Sequence, residues 1–237
     1  MIRIYAASIN QPIHSEQYQQ MLSYVSKSQR LMIEKFHFES DKKRMLYGNV
    51  MSRYFIGEKL DKPGETVEFE FNSFGKPYVK GVPMVQFNVS HSGEWVVCAI
   101  GDNEVGVDVE QIKPIETKIA QQFFTQREYN TITFTQEDER LKAFYLFWTM
   151  KESYIKYIGK GLSIQLDSFD VVKTKDGFSV IGAEREVAIW QGEVLDGYML
   201  SLCHAVGEPY LGIHLLDMGK LICDKSSVSP LGYTCMK

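Results

Sequence analysis

The chain has 237 residues, of which 44% are hydrophobic and 24% charged, a balance typical of a globular protein that buries its own core. Its net charge of −4 disfavours nucleic acid as the main partner, because 26 Lys and Arg stand against 30 Asp and Glu. No signal peptide, membrane span or CxxC pair is visible, so we expect a cytoplasmic protein with reduced cysteines and no contact with a membrane.

The first half of the chain predicts helices followed by short strands. Residues 2–7 should form a strand, residues 15–36 an amphipathic helix with a second short one, and residues 40–60 a longer helix. The run VEFEFNSFGKPYV predicts a strand that breaks at Gly75 and Pro77. FNVSHSGEWVVCAIGDNEVGVDVE then predicts three strands separated by turns at SHSGE and GDN.

The second half repeats this order loosely, with predicted helices at 116–135 and 141–158 before a small meander. We therefore predict an α+β fold of two similar, pseudo-twofold-related lobes, each a long helix packed on a small, mainly antiparallel sheet. The lobes should span residues 1–103 and 104–237, with a tail from about Lys220. The strands predicted in the meander are 168–173, 177–181, 186–194 and 198–205.

The run VGVDVE places two acidic side chains together. Strand alternation puts Asp108 and Glu110 on one face and three valines on the other. Neighbouring carboxylates repel unless they are solvated or bridged by a cation, and two hard oxygen donors suit Mg²⁺. An ordinary polar face of a half-exposed strand is the alternative interpretation.

The helix within LKAFYLFWTMKESYIKYIGKGL carries a second pair of charges. Glu152 and Lys156 stand one turn apart, and Glu152 lies on the row of Trp148 at the edge of an apolar stripe. A surface ion pair, worth only about a few tenths of a kcal/mol, is one interpretation. A carboxylate and an ammonium at the rim of a buried face are also candidates for a functional site.

VGVDVE followed by FWTMKESYIKYIGKGL resembles the paired signature of 4′-phosphopantetheinyl transferases, and FNSFGKPYV, FNVSHSGEWVV and FFTQREY extend the resemblance. The resemblance is strongest to the long, two-lobed bacterial type of this family, which activates nonribosomal peptide synthetases. The resemblance implies an Mg²⁺-dependent monomer that moves the phosphopantetheine arm of coenzyme A, its substrate, to a serine of an apo-carrier protein and releases 3′,5′-ADP.

The resemblance also assigns roles to residues of the two signature motifs. Asp108, Glu110 and Glu152 match the metal ligands, and Lys156 matches the lysine that reaches the pyrophosphate. Negative charge develops on phosphate oxygens in the transition state, so Lys156 would stabilise or protonate the phosphate of the departing 3′,5′-ADP. Glu152 would take the serine proton, directly or through water.

Other positions match residues that hold coenzyme A. These are Lys76, Ser90 and His91, with Arg44 where an arginine faces the 3′-phosphate. Ser90 could instead be a turn former, and His91 a turn histidine bonded to backbone.

The chain departs from the family at Gln29 and Met32, where long bacterial members carry lysines that pair with the 3′-phosphate of coenzyme A. Arg44 and His91 should then carry most of the recognition of that phosphate. Lys27, Arg30 or Lys35 could substitute from neighbouring positions.

Carrier docking is expected near residues 113–124 and 159–190, through contacts that are apolar at their centre. For at least one of Phe123 and Phe124, a core position is the better interpretation.

Two other functions fit part of the pattern. Three carboxylates also suit a metal-dependent nucleotidyl transferase or nuclease, although such enzymes usually carry a basic groove. A catalytically inactive carrier-binding module would be indicated by loss of a metal carboxylate, but Asp108, Glu110 and Glu152 are all present.

Overall fold

Two five-stranded sheets frame the molecule, and one long helix packs on each of them. The structure, a computed structural model, describes residues 1–175, 177–223 and 234–236. The helices are α1 Ser15–Ser23, α2 Lys27–Glu34, α3 Glu39–Lys59, α4 Ala120–Phe123, α5 Gln126–Phe134, α6 Arg140–Ile158 and α7 Met218–Cys223. The strands are β1 Ile2–Ser8, β2 Phe69–Phe71, β3 Pro77–Val79, β4 Gln86–Ser92, β5 Trp95–Gly101, β6 Val105–Gln111, β7 Asp170–Thr174, β8 Gly177–Ile181, β9 Val187–Leu195, β10 Tyr198–Ala205, β11 Tyr210–Leu215 and β12 Thr234–Met236.

The first sheet has the strand order β12-β11-β1-β5-β4, and α3 packs on β4 and β5. The second has the order β6-β10-β9-β8-β7, with α6 on β6 and β10. Buried valines of β6 meet apolar residues of β1 and β5 in a core between the sheets. The predicted α+β architecture, with helices on small and mainly antiparallel sheets, is confirmed. The pseudo-twofold relation of the lobes stays a prediction.

The C-terminal part of the chain differs from the predicted arrangement. Strand β11 belongs to the first sheet, where it pairs in parallel with β1, although it follows the strands of the second sheet in the chain. Helix α7 packs against α1. Ile213 of β11 is buried in the core between the sheets, which is why this short strand is held there. Strands from residues 104–237 therefore contribute to both sheets, and the division into lobes 1–103 and 104–237 stays a prediction. Lys220, where a tail was predicted to begin, lies inside α7. Positions 224–233 and 237 of the predicted tail lie outside the described residues.

Three local predictions also differ from the structure. The strand predicted over 67–79 is a hairpin of β2 and β3, because Gly75 turns the chain with a φ of 88° and Pro77 starts the return strand. Strand β4 runs through the SHS triplet, so the turn is confined to Gly93 and its neighbour. The helix predicted over 116–135 is interrupted before Thr125, whose side chain caps α5.

The described residues contain no helix that is long and apolar enough to span a membrane. Cys98 and Cys203 are buried free thiols, and Cys223 is an exposed one. Location in the cytoplasm stays a prediction.

Candidate active site

Side chains of β4 join the facing edges of the two sheets. Asn88, Ser90 and Ser92, which are alternate residues of β4, point toward β6, and each offers an oxygen to a backbone N–H group of that strand. We call this line of contact between β4 and β6 the seam. It fixes the position of β6 against the first sheet through side-chain hydrogen bonds, although the two strands belong to different sheets. The three bonds run from Val107 N to Asn88 Oδ1 at 2.9 Å, from Val109 N to Ser90 Oγ at 3.3 Å, and from Gln111 N to Ser92 Oγ at 3.1 Å.

The two carboxylates of β6 lie at this seam. Ser90 Oγ donates to Asp108 Oδ1 at 2.9 Å, and Ser92 Oγ donates to Glu110 Oε2 at 2.7 Å. Asp108 is only 2% exposed. Its second oxygen, Oδ2, is buried and has no hydrogen-bond partner within the described residues. An unpartnered buried carboxylate oxygen is costly, so this atom marks a place where a positive ligand would stabilise the molecule.

Helix α6 brings the other two signature residues to the seam. Lys156 Nζ lies 2.6 Å from Asp108 Oδ1 and 2.9 Å from Ser90 Oγ, so the lysine pairs with the neighbouring strand, where helical spacing alone had suggested Glu152. Glu152 lies one turn earlier on the same helix. The interpretation of Glu152 and Lys156 as a simple surface pair is therefore wrong.

A buried ion pair holds α6 against its neighbours. Lys151 Nζ lies 2.9 Å from Glu128 Oε2, and both side chains are fully buried. Glu128 also accepts a hydrogen bond from the N–H of Val171 on β7, while Lys151 donates to the carbonyl oxygen of Phe169 at 2.6 Å. Breaking such a pair leaves an uncompensated charge, so the network fixes the helix that carries Glu152.

Six of the eight predicted site residues line one cavity of about 300 Å³ at the seam. Trp148 of α6 and Val89 of β4 complete its wall. Ser90 and His91 are thus strand residues that face a cavity, and the turn interpretation of both is wrong. The six residues are Ser90, His91, Asp108, Glu110, Glu152 and Lys156.

The cavity concentrates negative charge. Burial raises the pKa of Asp108, of Glu110 and of Glu152, and the neighbouring Asp108 carboxylate adds to the rise for the other two. For Glu152 the pKa reaches about 7. Each rise means that the charged form is destabilised, which is the electrostatic setting that a bound cation would relieve.

A magnesium ion fits this donor set in its chemistry. Three carboxylates, one of which has an unpartnered oxygen, are hard ligands of the kind that Mg²⁺ prefers. In the described part of the chain, no three His, Cys, Asp or Glu side chains are already spaced as a closed ligand set, and the ammonium of Lys156 lies against Asp108 instead. Magnesium binding therefore remains a proposal.

A second cavity, of about 460 Å³, adjoins the first and shares Val89 and His91 with it. Its lining is largely apolar and comes from α2, α3, β2, β3 and β4. Burial lowers the pKa of His91, and the charges of Arg44 and Lys156 add to this, so the imidazole is neutral at pH 7. The remaining lining residues are Ser28, Gln29, Met32, Arg44, Met45, Gly48, Asn49, Ser52, Phe69, Phe71, Pro77 and Phe87.

Arg44 and the two departures from the family pattern, Gln29 and Met32, all border this second cavity. The guanidinium of Arg44 is already engaged, because it donates to Asp41 Oδ1 at 2.6 Å, to Ser40 Oγ and to the carbonyl oxygen of Gly93. Lys27, Arg30 and Lys35 do not line the cavity.

Lys76 borders neither of these two cavities. Its ammonium lies 2.7 Å from Glu104 Oε2 and donates to the carbonyl oxygen of Tyr157 at 3.0 Å, at the C-terminal end of α6. Asn72 of the same hairpin donates to the carbonyl oxygen of Gly159 at 2.7 Å. The structure therefore separates Lys76 from the other seven candidates, and its role in holding coenzyme A stays a prediction.

One residue near the second cavity was not selected from the sequence. Arg53 is buried beneath the lining, on the row of α3 that also carries Leu46 and Val50. An arginine at a position of the buried helical row was the available signal.

Comparison with known proteins gives two matches to family models. Residues 104–203 match the model of the 4′-phosphopantetheinyl transferase superfamily, and residues 11–103 match the model described as 4′-phosphopantetheinyl transferase, N-terminal. Together these models span both sides of the seam.

Curated relatives extend over most of the chain. The 4′-phosphopantetheinyl transferase Sfp of Bacillus subtilis is 35% identical over 86% of this chain and 92% of the relative. The transferase gsp of Aneurinibacillus migulanus is 35% identical over 86% of each chain, and psf-1 of Bacillus pumilus is 42% identical over 68% of this chain and 70% of the relative.

Proposed function

Because this chain belongs to the 4′-phosphopantetheinyl transferase superfamily, we propose that it transfers the 4′-phosphopantetheine arm of coenzyme A to a serine of an apo-carrier domain, with release of 3′,5′-ADP. The observation that carries the proposal is the pair of adjoining cavities, one lined by carboxylates and a lysine and the other largely apolar. A carrier domain of a nonribosomal peptide synthetase is the proposed acceptor, since the motifs resemble those of the long bacterial type.

The two cavities suit the two ends of a nucleotide substrate. The pyrophosphate of coenzyme A would lie in the cavity with Lys156, and its 3′-phosphoadenosine in the cavity with Arg44. His91 lines both cavities and would contact the region between them. A neutral imidazole can donate one hydrogen bond and accept another, which suits a phosphate oxygen on one side and a hydroxyl on the other.

Asp108, Glu110 and Glu152 would hold magnesium. When bound, the ion supplies positive charge to the pyrophosphate oxygens, which become more negative as the phosphoanhydride breaks. The support in this molecule is the buried Oδ2 of Asp108, which has no partner in the described residues, together with the raised pKa values of the three carboxyl groups.

The remaining steps fall to Glu152 and Lys156. The serine oxygen attacks the phosphorus that bears the pantetheine arm, and the bond from that phosphorus to the bridging oxygen breaks. Glu152 borders the cavity and would accept the serine proton, directly or through water. Lys156, an ammonium with three donors, would stabilise the phosphate of the departing 3′,5′-ADP.

Carrier docking is proposed at 113–124 and 159–190, next to the site. Ile115 and Leu162 are exposed, and Leu162 shows 76% of its surface. Phe124 is buried and Phe123 packs edge-on against Trp148, so the expectation that at least one of this pair belongs to the core is confirmed. The monomeric state, the location in the cytoplasm and the absence of a nucleic-acid partner remain part of the proposal.

Incubation of the purified chain with Mg²⁺ tests the proposed reaction against its main alternative. One sample contains coenzyme A and an apo-carrier domain, and the other contains single- and double-stranded DNA. We expect a mass increase of the carrier by one phosphopantetheine and intact DNA. DNA cleavage with an unmodified carrier would favour the nuclease interpretation.

A further inference from the structure

Arg53 is a buried cation without a carboxylate partner among the described residues. It lies in α3, is 5% exposed, and donates to Asn49 Oδ1 at 2.7 Å and to Gln29 Oε1 at 3.0 Å. Its guanidinium also lies 4.3 Å from the centre of the Phe69 ring. Burial lowers the pKa of Arg53 to about 10, so the group is still charged at pH 7.

Burying an unpaired charge is costly, and two neutral amide oxygens with one aromatic face offset that cost only in part. All three contacts of Arg53, the residues Gln29, Asn49 and Phe69, line the second cavity. The uncompensated charge therefore lies directly behind the wall of a site large enough for a ligand. A negative ligand group in that cavity would supply the compensation.

The cavity lining itself offers little other positive charge. Arg44 is its one charged side chain among the described lining residues, and the Asp41 carboxylate at 2.6 Å already neutralises it. His91 is neutral at pH 7 because burial lowers its pKa. Arg53 is thus the net positive charge of this wall.

The amide of Gln29 can transmit that charge to the cavity, whereas Asn49 Nδ2 already donates to the carbonyl oxygen of Met45 at 2.9 Å. Arg53 binds the carbonyl oxygens of Gln29 and Asn49, which fixes the direction of both side chains. Gln29 Nε2 donates one hydrogen to Asn49 Oδ1 at 3.0 Å and retains a second, which a ligand oxygen can accept. Hydrogen bonds polarise one another in a low-dielectric environment, so an amide held by a guanidinium is a stronger donor.

We infer that Arg53, acting through the Gln29 amide that it holds together with Asn49, gives the second cavity its preference for a ligand that carries a phosphate monoester. This group is the 3′-phosphate of coenzyme A, an identification that rests on the proposed function. Arg53 is a specificity-determining residue that positions the amides and touches no reacting atom. It would take the place of the cations that Gln29 and Met32 do not provide.

The substitution Asn49→Asp tests this inference most sharply. It keeps the shape of the side chain but places a carboxylate on Arg53, which cancels the charge behind the wall. The probes are 3′,5′-ADP, which carries the 3′-phosphate, and AMP, which lacks it, with dissociation constants measured by titration calorimetry at low salt. This experiment needs no transfer activity.

For the unaltered protein we expect the dissociation constant for 3′,5′-ADP to be about tenfold lower than that for AMP. Asn49→Asp should remove most of that difference by weakening 3′,5′-ADP, while AMP changes by less than about twofold. Arg53 gains a partner in this variant, but the hydrogen bond from Asn49 Nδ2 to the carbonyl oxygen of Met45 is lost, so the melting temperature of the empty protein should change little. A purely structural role would weaken the binding of both nucleotides together.

Two further variants control for charge and folding. Asn130→Asp, at an exposed position of α5, adds the same net charge far from the cavity lining and should leave both dissociation constants unchanged. Gln29→Lys combined with Asn49→Asp restores one positive charge to the wall and should restore the preference for 3′,5′-ADP. Equal weakening of both nucleotides by Asn49→Asp, or no weakening in a folded variant, would overturn the inference.

The experiments distinguish failure of the inference about Arg53 from failure of the proposed transferase function. If the protein prefers 3′,5′-ADP over AMP through Arg53 but modifies no carrier, the inference stands and the transferase proposal falls. If it modifies carriers with coenzyme A and with 3′-dephosphocoenzyme A at the same Michaelis constant, the inference falls and the transferase proposal stands.

Discussion

Asp108 combines burial with an oxygen that has no partner, and it shares a cavity with two other carboxylates. Asp108→Asn keeps the hydrogen bond from Ser90 and the shape of the side chain, while Glu152→Gln removes one negative charge at the rim. We predict that each variant lowers turnover by at least about 100-fold, since each removes charge that transition-state stabilisation requires. Single-turnover assays with excess enzyme measure the loss.

Folding is the control for these two variants. Glu152→Gln should unfold at the temperature of the unaltered protein or slightly above it, because it relieves repulsion between neighbouring carboxylates. Asp108→Asn also loses the ion pair with Lys156, so it should remain folded but unfold at a lower temperature. Near-normal turnover in either folded variant would contradict the assignment of these carboxylates to the reaction.

Arg44 is the one charged side chain among the described lining of the second cavity. We predict that Arg44→Ala raises the Michaelis constant for coenzyme A only about threefold and largely spares turnover, because Asp41 already neutralises Arg44 and the lost contact is made equally in ground and transition states. Dephosphocoenzyme A should lose little further with this variant. Equal, large losses for both substrates would show that Arg44 does not contact the 3′-phosphate.

Single residues could be assigned from the sequence where motif and local geometry agree. Strand alternation is sufficient to put Asp108 and Glu110 on one face, and helical spacing brings Glu152 and Lys156 to one side of α6. The partner of Lys156 could not be predicted, because Asp108 reaches it only through packing of α6 on β6. Arg53 could not be selected for a similar reason, since the lack of a carboxylate partner among the described residues is a property of the folded core.

At the scale of elements, the β2–β3 hairpin caps the C-terminal end of α6. Lys76 Nζ donates to the carbonyl oxygen of Tyr157, and Asn72 Nδ2 donates to that of Gly159. Carbonyl oxygens at the C-terminal end of a helix lack partners within the helix, and here side chains of the hairpin pair with them. A cation at this end also interacts favourably with the helix dipole. The same hairpin lines the second cavity with Phe69 and Phe71.

We predict that Lys76→Met lowers turnover about tenfold and changes the Michaelis constant for coenzyme A by less than about twofold, because a displaced α6 moves Glu152 and Lys156. Lys80→Met is the matched control, as Lys80 pairs with Glu68 on the exposed side of the hairpin. The resemblance to the family implies the opposite pattern for Lys76, a raised Michaelis constant with turnover preserved, and that pattern would contradict the capping role.

Gly106 sets the distance between β6 and α6. A Cβ atom at this position would lie 2.0 Å from the carbonyl oxygen of Ser153 and 2.4 Å from the backbone nitrogen of Tyr157. We predict that Gly106→Ala lowers the free energy of unfolding by about 1–3 kcal/mol or more, since the strand must move off the helix. Urea denaturation measures the change, and an unaltered midpoint would show that the helix accommodates the methyl group.

Helices and strands with strong hydrophobic periodicity were predictable from the sequence, but the segments that connect them were not. The pattern over 40–60 and 141–158 identified α3 and α6 to within a residue or two. The SHS triplet looks like a turn locally, yet pairing with β5 and bonds to β6 keep it extended through Ser92. Tertiary contacts override local preference at such places.

At the scale of the whole molecule, a strand near the start of the chain, β1, pairs with a strand near its end, β11. The parallel pairing of β1 with β11 joins Ile2 to Tyr210, and the N-terminal amine also contacts Glu208. No local pattern can reveal a pairing between residues so distant in sequence, because period and turn signals carry information about neighbours only. The sheet that forms one wall of the second cavity is therefore completed only by the C-terminal part of the chain.

Both halves of the chain contribute residues to the proposed site. Asp108 and Glu110 come from β6, Glu152 and Lys156 from α6, and the lining of the second cavity from α2, α3, β2, β3 and β4. The family models meet between residues 103 and 104, so each half matches a different description. The proposed transfer would require residues from both halves.

The proposed reaction is tested most directly by the intact mass of an apo-carrier domain from a nonribosomal peptide synthetase after incubation with the enzyme, Mg²⁺ and coenzyme A. We predict one phosphopantetheine added per carrier, no addition when the acceptor serine is replaced by alanine, and none with a chelator present. A carrier that stays unmodified with folded enzyme that binds coenzyme A, or modification that persists in the chelator, would contradict this prediction.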